Sequence, residues 1–220
     1  MEVLREYDVA GTAAGTAGTT RTENGASAVH GVTFDGTDVW FADGEHLRSF
    51  DPATGKEKRR LAVPCAAGTA FDGERLYQVD KGEILTIDPA TGDILARVPA
   101  PSENAAGLTW AEGSLWVGMY RERKIHRLDP KTGRIQHTID TARFVTGVTF
   151  VDGDLWHGTW EGDESDIRHI DKETGELLEA LPMPKGMVVS GLEFDGKETF
   201  FAGGGKSGKV RALRRPKRRP

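Results

Sequence analysis

An all-β, five-bladed β-propeller with four antiparallel strands per blade, its last blade closed by the N-terminal strand, is the fold this 220-residue chain predicts. Three observations carry the prediction. Five segments repeat one pattern: a glycine in a short strand, an aromatic residue, a glycine turn, and a pair ending in an aromatic. They begin at His30-Gly31-Val32-Thr33-Phe34, Ala67-Gly68-Thr69-Ala70-Phe71, Ala106-Gly107-Leu108-Thr109-Trp110, Thr146-Gly147-Val148-Thr149-Phe150 and Ser190-Gly191-Leu192-Glu193-Phe194, with glycines 37, 39, 40 and 44 residues apart. The first four segments then carry Asp-x-x-Thr-Gly, at Asp51–Gly55, Asp88–Gly92, Asp129–Gly133 and Asp171–Gly175. A period near 40 residues with four strands per unit is that of propeller blades. The fifth unit lacks its fourth strand, and Glu2–Val9 resembles the other fourth strands, such as Ile94–Val98.

Each blade reads as strands a to d. Strand a carries the glycine pentad, and strand b the pairs Val39-Trp40, Leu76-Tyr77, Leu115-Trp116, Leu155-Trp156 and Thr199-Phe200. The Asp-x-x-Thr-Gly turn joins c to d, because Asp accepts backbone N–H bonds and Gly takes the positive φ. Small residues at the inner strands, including Ala66, Ala67, Ala105 and Ala106, permit the close approach of five strands to one axis. Trp40, Trp110, Trp116 and Trp156 are expected in the core between blades. The domain spans residues 1–213, with 11–29 a long loop and 214–220 a basic tail.

Composition narrows the function classes. Hydrophobic residues at 37% suffice for a core, and a net charge of −5 gives no reason to expect a nucleic-acid or membrane partner. The single cysteine, Cys65, excludes an internal disulfide and reads as a small buried hydrophobe. The first residues lack the apolar core of a signal peptide, and no run of 18 apolar residues occurs, so the expected location is the cytoplasm.

Strand order divides the disc into two faces. The a–b and c–d turns share one, the turn face, which is monotonous. The b–c loops and d–a connections share the other, the loop face, which is irregular, and binding residues concentrate on irregular loops. From the strand-b aromatic to the turn Asp, the chain takes 11 positions in blades one and two, then 13 and 15 in blades three and four. His30 is the candidate proton-transfer group, with Glu23 or Glu161 as its carboxylate partner; a satisfied core histidine is the alternative. Tyr120 and Trp160 stand at equivalent positions in adjacent blades, suited to stacking on a ligand or to rim packing. Arg21, Arg121 and Lys206 are candidate ligand-binding residues, the latter two as anchors for a carboxylate or phosphate. Asp163, Glu164 and Asp166 offer oxygen ligands to a divalent cation such as Ca²⁺, or form a solvated acidic loop. No zinc pattern stands out and no cofactor is identified. His157, beside Trp156, reads as packed between blades.

Gly203-Gly204-Gly205-Lys206-Ser207 ends like a phosphate loop, but Phe200 replaces its first glycine and a strand follows in place of a helix. The blade pattern over residues 28–213 resembles the plant-type glutaminyl-peptide cyclotransferases, which are five-bladed, and more distantly the seven-bladed virginiamycin B lyases. That resemblance implies a five-bladed scaffold. Residue by residue, His30 stands where the cyclotransferases have Gln, and their glutamate falls near Ala42, next to Asp43. Their third-blade Trp falls at Ala106, Trp160 resembles their fourth-blade Trp, and their Thr-Gly-Lys lies near Gly203–Lys206. The resemblance implies a shared scaffold and a glutaminyl cyclotransferase-like or lyase-like enzyme, while these departures at the site residues speak against the identical reaction. The expected partner is a small molecule or peptide at the channel mouth; the alternative is a non-catalytic protein-interaction module.

Overall fold

The computed structural model describes residues 1–9 and 28–216; Arg21 and Glu23 lie outside the described residues. Strand β1 (Val3–Asp8) comes first in the chain but belongs to the last sheet. The first blade is β2 (Val32–Phe34), β3 (Val39–Ala42), β4 (Leu47–Phe50) and β5 (Glu57–Leu61). The second is β6 (Thr69–Phe71), β7 (Leu76–Asp80), β8 (Glu83–Ile87) and β9 (Ile94–Pro99). The third is β10 (Ala105–Ala111), β11 (Ser114–Met119), β12 (Lys124–Leu128) and β13 (Ile135–Asp140). The fourth is β14 (Val145–Val151), β15 (Asp154–Thr159), β16 (Asp166–Ile170) and β17 (Leu177–Pro182). The fifth is β18 (Gly191–Phe194), β19 (Thr199–Gly203), β20 (Lys209–Arg214) and β1, so the five-bladed ring closes through the N-terminal strand as the sequence predicts.

The pentad glycines explain how five blades meet at one axis. A Cβ at Gly68 would lie 2.5 Å from the carbonyl oxygen of Ala106 and 2.6 Å from the amide nitrogen of Leu108. Gly107 meets Gly147 and Val148 of the next blade, Gly147 meets Gly191 and Leu192, and Gly191 meets Gly31 and Val32. Gly31 in turn abuts Ala67 and Thr69. Each glycine thus clears room for the backbone of its neighbour around the ring. Gly68→Ala is expected to cost about 3 kcal/mol or more, because backbone rather than a movable side chain must give way. A chemical-denaturation midpoint equal to that of the unaltered protein would contradict this packing.

The turns behave as their residue types require. In the c–d turn of blade one, Asp51 Oδ1 accepts from the Ala53 amide at 2.7 Å, and Gly55 sits at φ 76°. In the a–b turn, Asp35 Oδ1 accepts the Asp38 amide at 2.7 Å, while its Oδ2 accepts the Trp40 indole N–H at 2.7 Å. One turn departs from expectation. The a–b turn of blade five holds an extra residue, so Glu193 pairs with Phe201, as Thr33 pairs with Trp40. Phe200-Phe201, not Thr199-Phe200, is therefore the counterpart of Val39-Trp40.

Core packing lies between blades. Trp40, Trp116 and Trp156 are buried there. Trp110 differs: it is half-buried, stacked on Tyr77 with ring centroids 5.5 Å apart at 10°. The closing strand β1 grips both neighbours. Glu6 accepts from Lys209 at 2.7 Å and Arg211 at 2.8 Å within its own sheet. Toward blade one, Tyr7 packs on Phe50 and donates its hydroxyl to the Pro52 carbonyl at 2.8 Å. Arg5 donates to the Ala53 carbonyl at 2.6 Å, and Arg48 donates to the Val9 carbonyl at 2.9 Å.

Candidate functional site

The loop face carries a hollow of about 520 Å³ between blades two and three. Four alanines line it: Ala66 and Ala67 lead into β6, and Ala105 and Ala106 open β10. Lys81 and Gly82, in the turn between β7 and β8, form one wall. That turn is a two-residue hairpin with φ of 43° and 81°, the pairing that matches strand twist. Glu103, Asn104 and Tyr120 also line the hollow, and Glu103 lies beside Gly82, where an added Cβ would come within 3.8 Å of its Cγ. Tyr120 is held by its amide, which donates to the Asn104 carbonyl at 2.9 Å, and by its ring, tilted on Phe144 at 5.0 Å. Lys81 and Glu103 are both exposed and neither forms an ion pair among the described residues, so an ammonium and a carboxylate line one hollow with the four alanines.

The structure brings Tyr120 and Trp160 together: the Tyr120 hydroxyl donates to the Trp160 carbonyl at 3.4 Å. Trp160 anchors its own loop, its indole N–H donating to the Gly162 carbonyl at 3.0 Å. Glu161 braces rather than awaits a proton. Its Oε1 accepts the Phe144 amide at 2.7 Å, and its carboxylate lies 3.4 Å from both Arg123 and Arg143. Arg143 also pairs with Glu164 at 3.2 Å, and Asp166 is taken up by Arg168 and the Thr159 hydroxyl. Glu161, Glu164 and Asp166 are thus engaged by arginines, Glu161 also reaching Arg123 of blade three. Arg121 and Lys206 are exposed on b–c loops and pair with no carboxylate among the described residues. In the Gly203–Gly208 loop most amides are already engaged, Gly204 donating to the Lys209 carbonyl, Gly205 to the Ser190 hydroxyl, and Ser207 to the Gly204 carbonyl.

His30 is half-buried at the loop-face end of its pentad, its amide bonded to the Ala42 carbonyl at 2.9 Å. Burial holds its imidazole below the usual range, and the nearby Asp43 carboxylate opposes that shift. Asp43 is buried beside Arg48 at 3.6 Å and accepts the His46 amide at 2.7 Å. Cys65 is buried, its thiol pushed up to about 12 by desolvation, so it is no thiolate nucleophile. His157 is packed between blades, with burial driving its imidazole down to about 4.

Sequence reasoning passed over Glu193. Its Oε1 accepts the Thr149 hydroxyl of blade four at 2.6 Å and the Phe194 amide at 2.9 Å, while Oε2 accepts the Thr33 hydroxyl of blade one at 2.9 Å. The inner strand of blade five, β18, packs against both β14 and β2, and the Glu193 carboxyl bridges these two neighbouring blades. Desolvation pushes the carboxyl up to about 7, against the three hydrogen bonds that favour its charge. The signal lay in the pentad, where Thr33, Ala70, Thr109 and Thr149 occupy the position that Glu193 takes in blade five.

A family profile described as PQQ_2, outer membrane protein assembly factor BamB, matches residues 43–216. Among solved structures, Myxococcus xanthus glutaminyl cyclase aligns with a TM-score of 0.73 at 16% identity, covering 97% of this chain and 95% of that one. Kuenenia stuttgartiensis hydrazine synthase aligns with a TM-score of 0.53 at 17% identity, over 87% of this chain and 59% of that one. The Cps50 (Swd1) β-propeller domain of Myceliophteria thermophila aligns at 0.52 and 16% identity, over 86% and 83%. At these identities the likeness is one of fold. No curated protein matches the sequence.

Proposed function

The chain belongs to the family described as PQQ_2, outer membrane protein assembly factor BamB, and from that premise we propose that it binds a small polar molecule at the loop-face hollow between blades two and three. The observation that carries this reading is that Lys81 and Glu103, neither in an ion pair among the described residues, line one hollow together with Ala66, Ala67, Ala105 and Ala106. Such a site fits a compact ligand with both an anionic and a cationic end, an amino acid or the end of a short peptide. Lys81 takes the carboxylate, Glu103 the ammonium, Asn104 an amide, and the Tyr120 ring covers the body of the ligand. The likeness to a glutaminyl cyclase makes peptides with N-terminal glutamine the first members of this class to try. His30, with Asp43 near it, is the group through which such a ligand would exchange protons if turnover occurs.

A thermal-shift screen with amino acids and glutaminyl dipeptides tests the proposal. Ligand at about 100 times its dissociation constant adds roughly 2.7 kcal/mol of stability. A stabilising hit is expected to be lost in both Lys81→Met and Glu103→Gln, exposed turn and loop positions whose variants should keep their own melting points. A hit that survives both substitutions, or a panel with no hit, would remove the proposal. The rival reading, a protein-interaction module, is favoured by one observation: the outer strand β17 exposes Leu177 and Leu178 side by side, at 47% and 53%. Its family's described role in protein assembly agrees with that reading. A flat ligand screen together with loss of a partner in Leu178→Glu would establish it.

A further inference from the structure

The third residue of each outer strand shows what the ring uses to join one blade to the next. Arg5 of β1 donates to the carbonyls of Pro52 and Ala53 in the c–d turn of blade one, at 3.1 and 2.6 Å. Arg59 of β5 donates to the carbonyl of Pro89 in the c–d turn of blade two, at 3.0 Å. His137 of β13 brings Nε2 to 3.3 Å from the Glu173 carbonyl in the c–d turn of blade four. Each arginine also lies over an aromatic ring, Arg5 over Tyr7 at 4.9 Å and Arg59 over Trp40 at 6.0 Å. At the junction of blades two and three, the third residue of β9 is Ala96. No side chain from β9 reaches the Pro130 and Lys131 carbonyls, and neither accepts a hydrogen bond among the described residues. In its place lies a turn-face hollow of about 600 Å³, lined by Tyr77, Ala96, Trp110, Pro130 and Lys131.

We propose that this hollow binds the guanidinium of an arginine side chain carried by a peptide or protein, seated as Arg59 is seated one junction earlier. The carbonyls of Pro130 and Lys131 would accept its N–H groups, and the stacked Tyr77–Trp110 pair would present an aromatic face. The repeat itself supplies the argument: the same backbone turn, the same register and an aromatic at the position of Trp40 recur, and only the arginine is absent. Register places Ala96 opposite Thr86, as Arg59 stands opposite Ser49. Asp72, Arg75, Arg97 and Lys131 line the hollow, so carbonyl acceptors and the aromatic face, rather than net charge, would have to hold the guanidinium. Arg97 is paired with Glu83 at 2.7 Å, Arg75 with Glu74 at 3.5 Å, and the Asp72 carboxylate accepts the Tyr77 hydroxyl at 2.9 Å. Lys131 is the one rim cation without a carboxylate partner among the described residues, and it lies on an exposed turn where salt screens it.

The test is a ¹H–¹⁵N titration of the full chain with N-acetyl-arginine methylamide, with the lysine counterpart and free arginine as parallel arms. The expected result is saturable shifts of the Trp110 indole N–H and of the Ala96 and Lys131 amides with the arginine amide, and weak or no shifts with the lysine amide. Free arginine should bind no better than the capped form, since recognition is through the side chain. Ala96→Arg fills the hollow from within; it is expected to melt a few degrees higher and to give no shifts. Trp110→Leu, at a half-buried position, should lose the shifts at Ala96 and Lys131. No shift in the unaltered protein, or the same shifts in Ala96→Arg or Trp110→Leu, would overturn the proposal.

Discussion

Glu193→Gln is expected to stabilise the protein at pH 8 and to leave its stability nearly unchanged at pH 4.5. Glu193 holds its proton up to about 7 in the fold, because desolvation at the axis outweighs the hydrogen bonds from Thr149, Thr33 and Phe194. Its ordinary value is 4.5. Between those two values the unfolded chain has lost the proton and the folded one has kept it. Stability therefore falls as pH rises from about 4.5 to about 7 and levels off above. A shift of that size corresponds to roughly 3 kcal/mol, or a melting point lower by roughly 6–12 °C in a chain of this length. Glutamine keeps the shape and the acceptor for Thr149 and the Phe194 amide, and its NH₂ can donate to the Thr33 hydroxyl. The variant should lose this pH dependence. Glu193→Ala separates charge from hydrogen bonding: it leaves both hydroxyls without their acceptor and should destabilise at pH 4.5 as well. Melting curves of the three proteins from pH 4.5 to 8.5 check the account. A difference between Glu193→Gln and the unaltered protein that stays constant across that range would show that the carboxyl does not titrate as described.

Removal of residues 1–9 is expected to abolish the cooperative fold. The deletion strips β1 from blade five, exposing the full edge of β20 from Lys209 to Leu213. It also removes Tyr7 and Val9 from the core, each 7% exposed, at about 2–3 kcal/mol apiece. Arg211 and Lys209 lose Glu6, and Arg48, almost wholly buried, loses the Val9 carbonyl. Those losses together approach the whole stability of an ordinary domain. Supplying Met1–Val9 as a separate peptide should restore part of the circular-dichroism signal, since β1 joins its sheet through strand pairing with β20. A truncated protein that melts like the full chain would mean that the ring closes elsewhere.

The scaffold was legible because its rules act on the backbone. A glycine that must clear a neighbouring strand, and an Asp-x-x-Thr-Gly turn that needs both an acceptor and a positive φ, leave their residues in the sequence at every blade. The N-terminal strand was legible for the same reason: an unpaired c strand in blade five required a partner. The register of blade five was not, because one extra residue in a turn shifts Phe200-Phe201 without altering the composition of the strand. Side-chain chemistry was less readable. Glu161 looked like a free acid, yet Arg123, Arg143 and the Phe144 amide, all distant in sequence, claim it. Lys81 and Glu103 belong to no motif, and only the fold brings them to one hollow with four alanines. Glu193 was visible in the pentad alignment, but its half-buried position and its reach to two other blades are consequences of ring closure that no single blade displays. Ala96 gains meaning only after Arg5, Arg59 and His137 show what their shared position does.

The measurement that tests the central claim most directly is chemical-shift mapping of the ¹⁵N-labelled protein with glutaminyl-glycine, a zwitterionic dipeptide. The account predicts saturable shifts centred on the amides of Gly82, Asn104 and Tyr120, abolished in Lys81→Met. Shifts centred on the turn face or around Gly162, or none at saturating dipeptide, would contradict a ligand site between blades two and three.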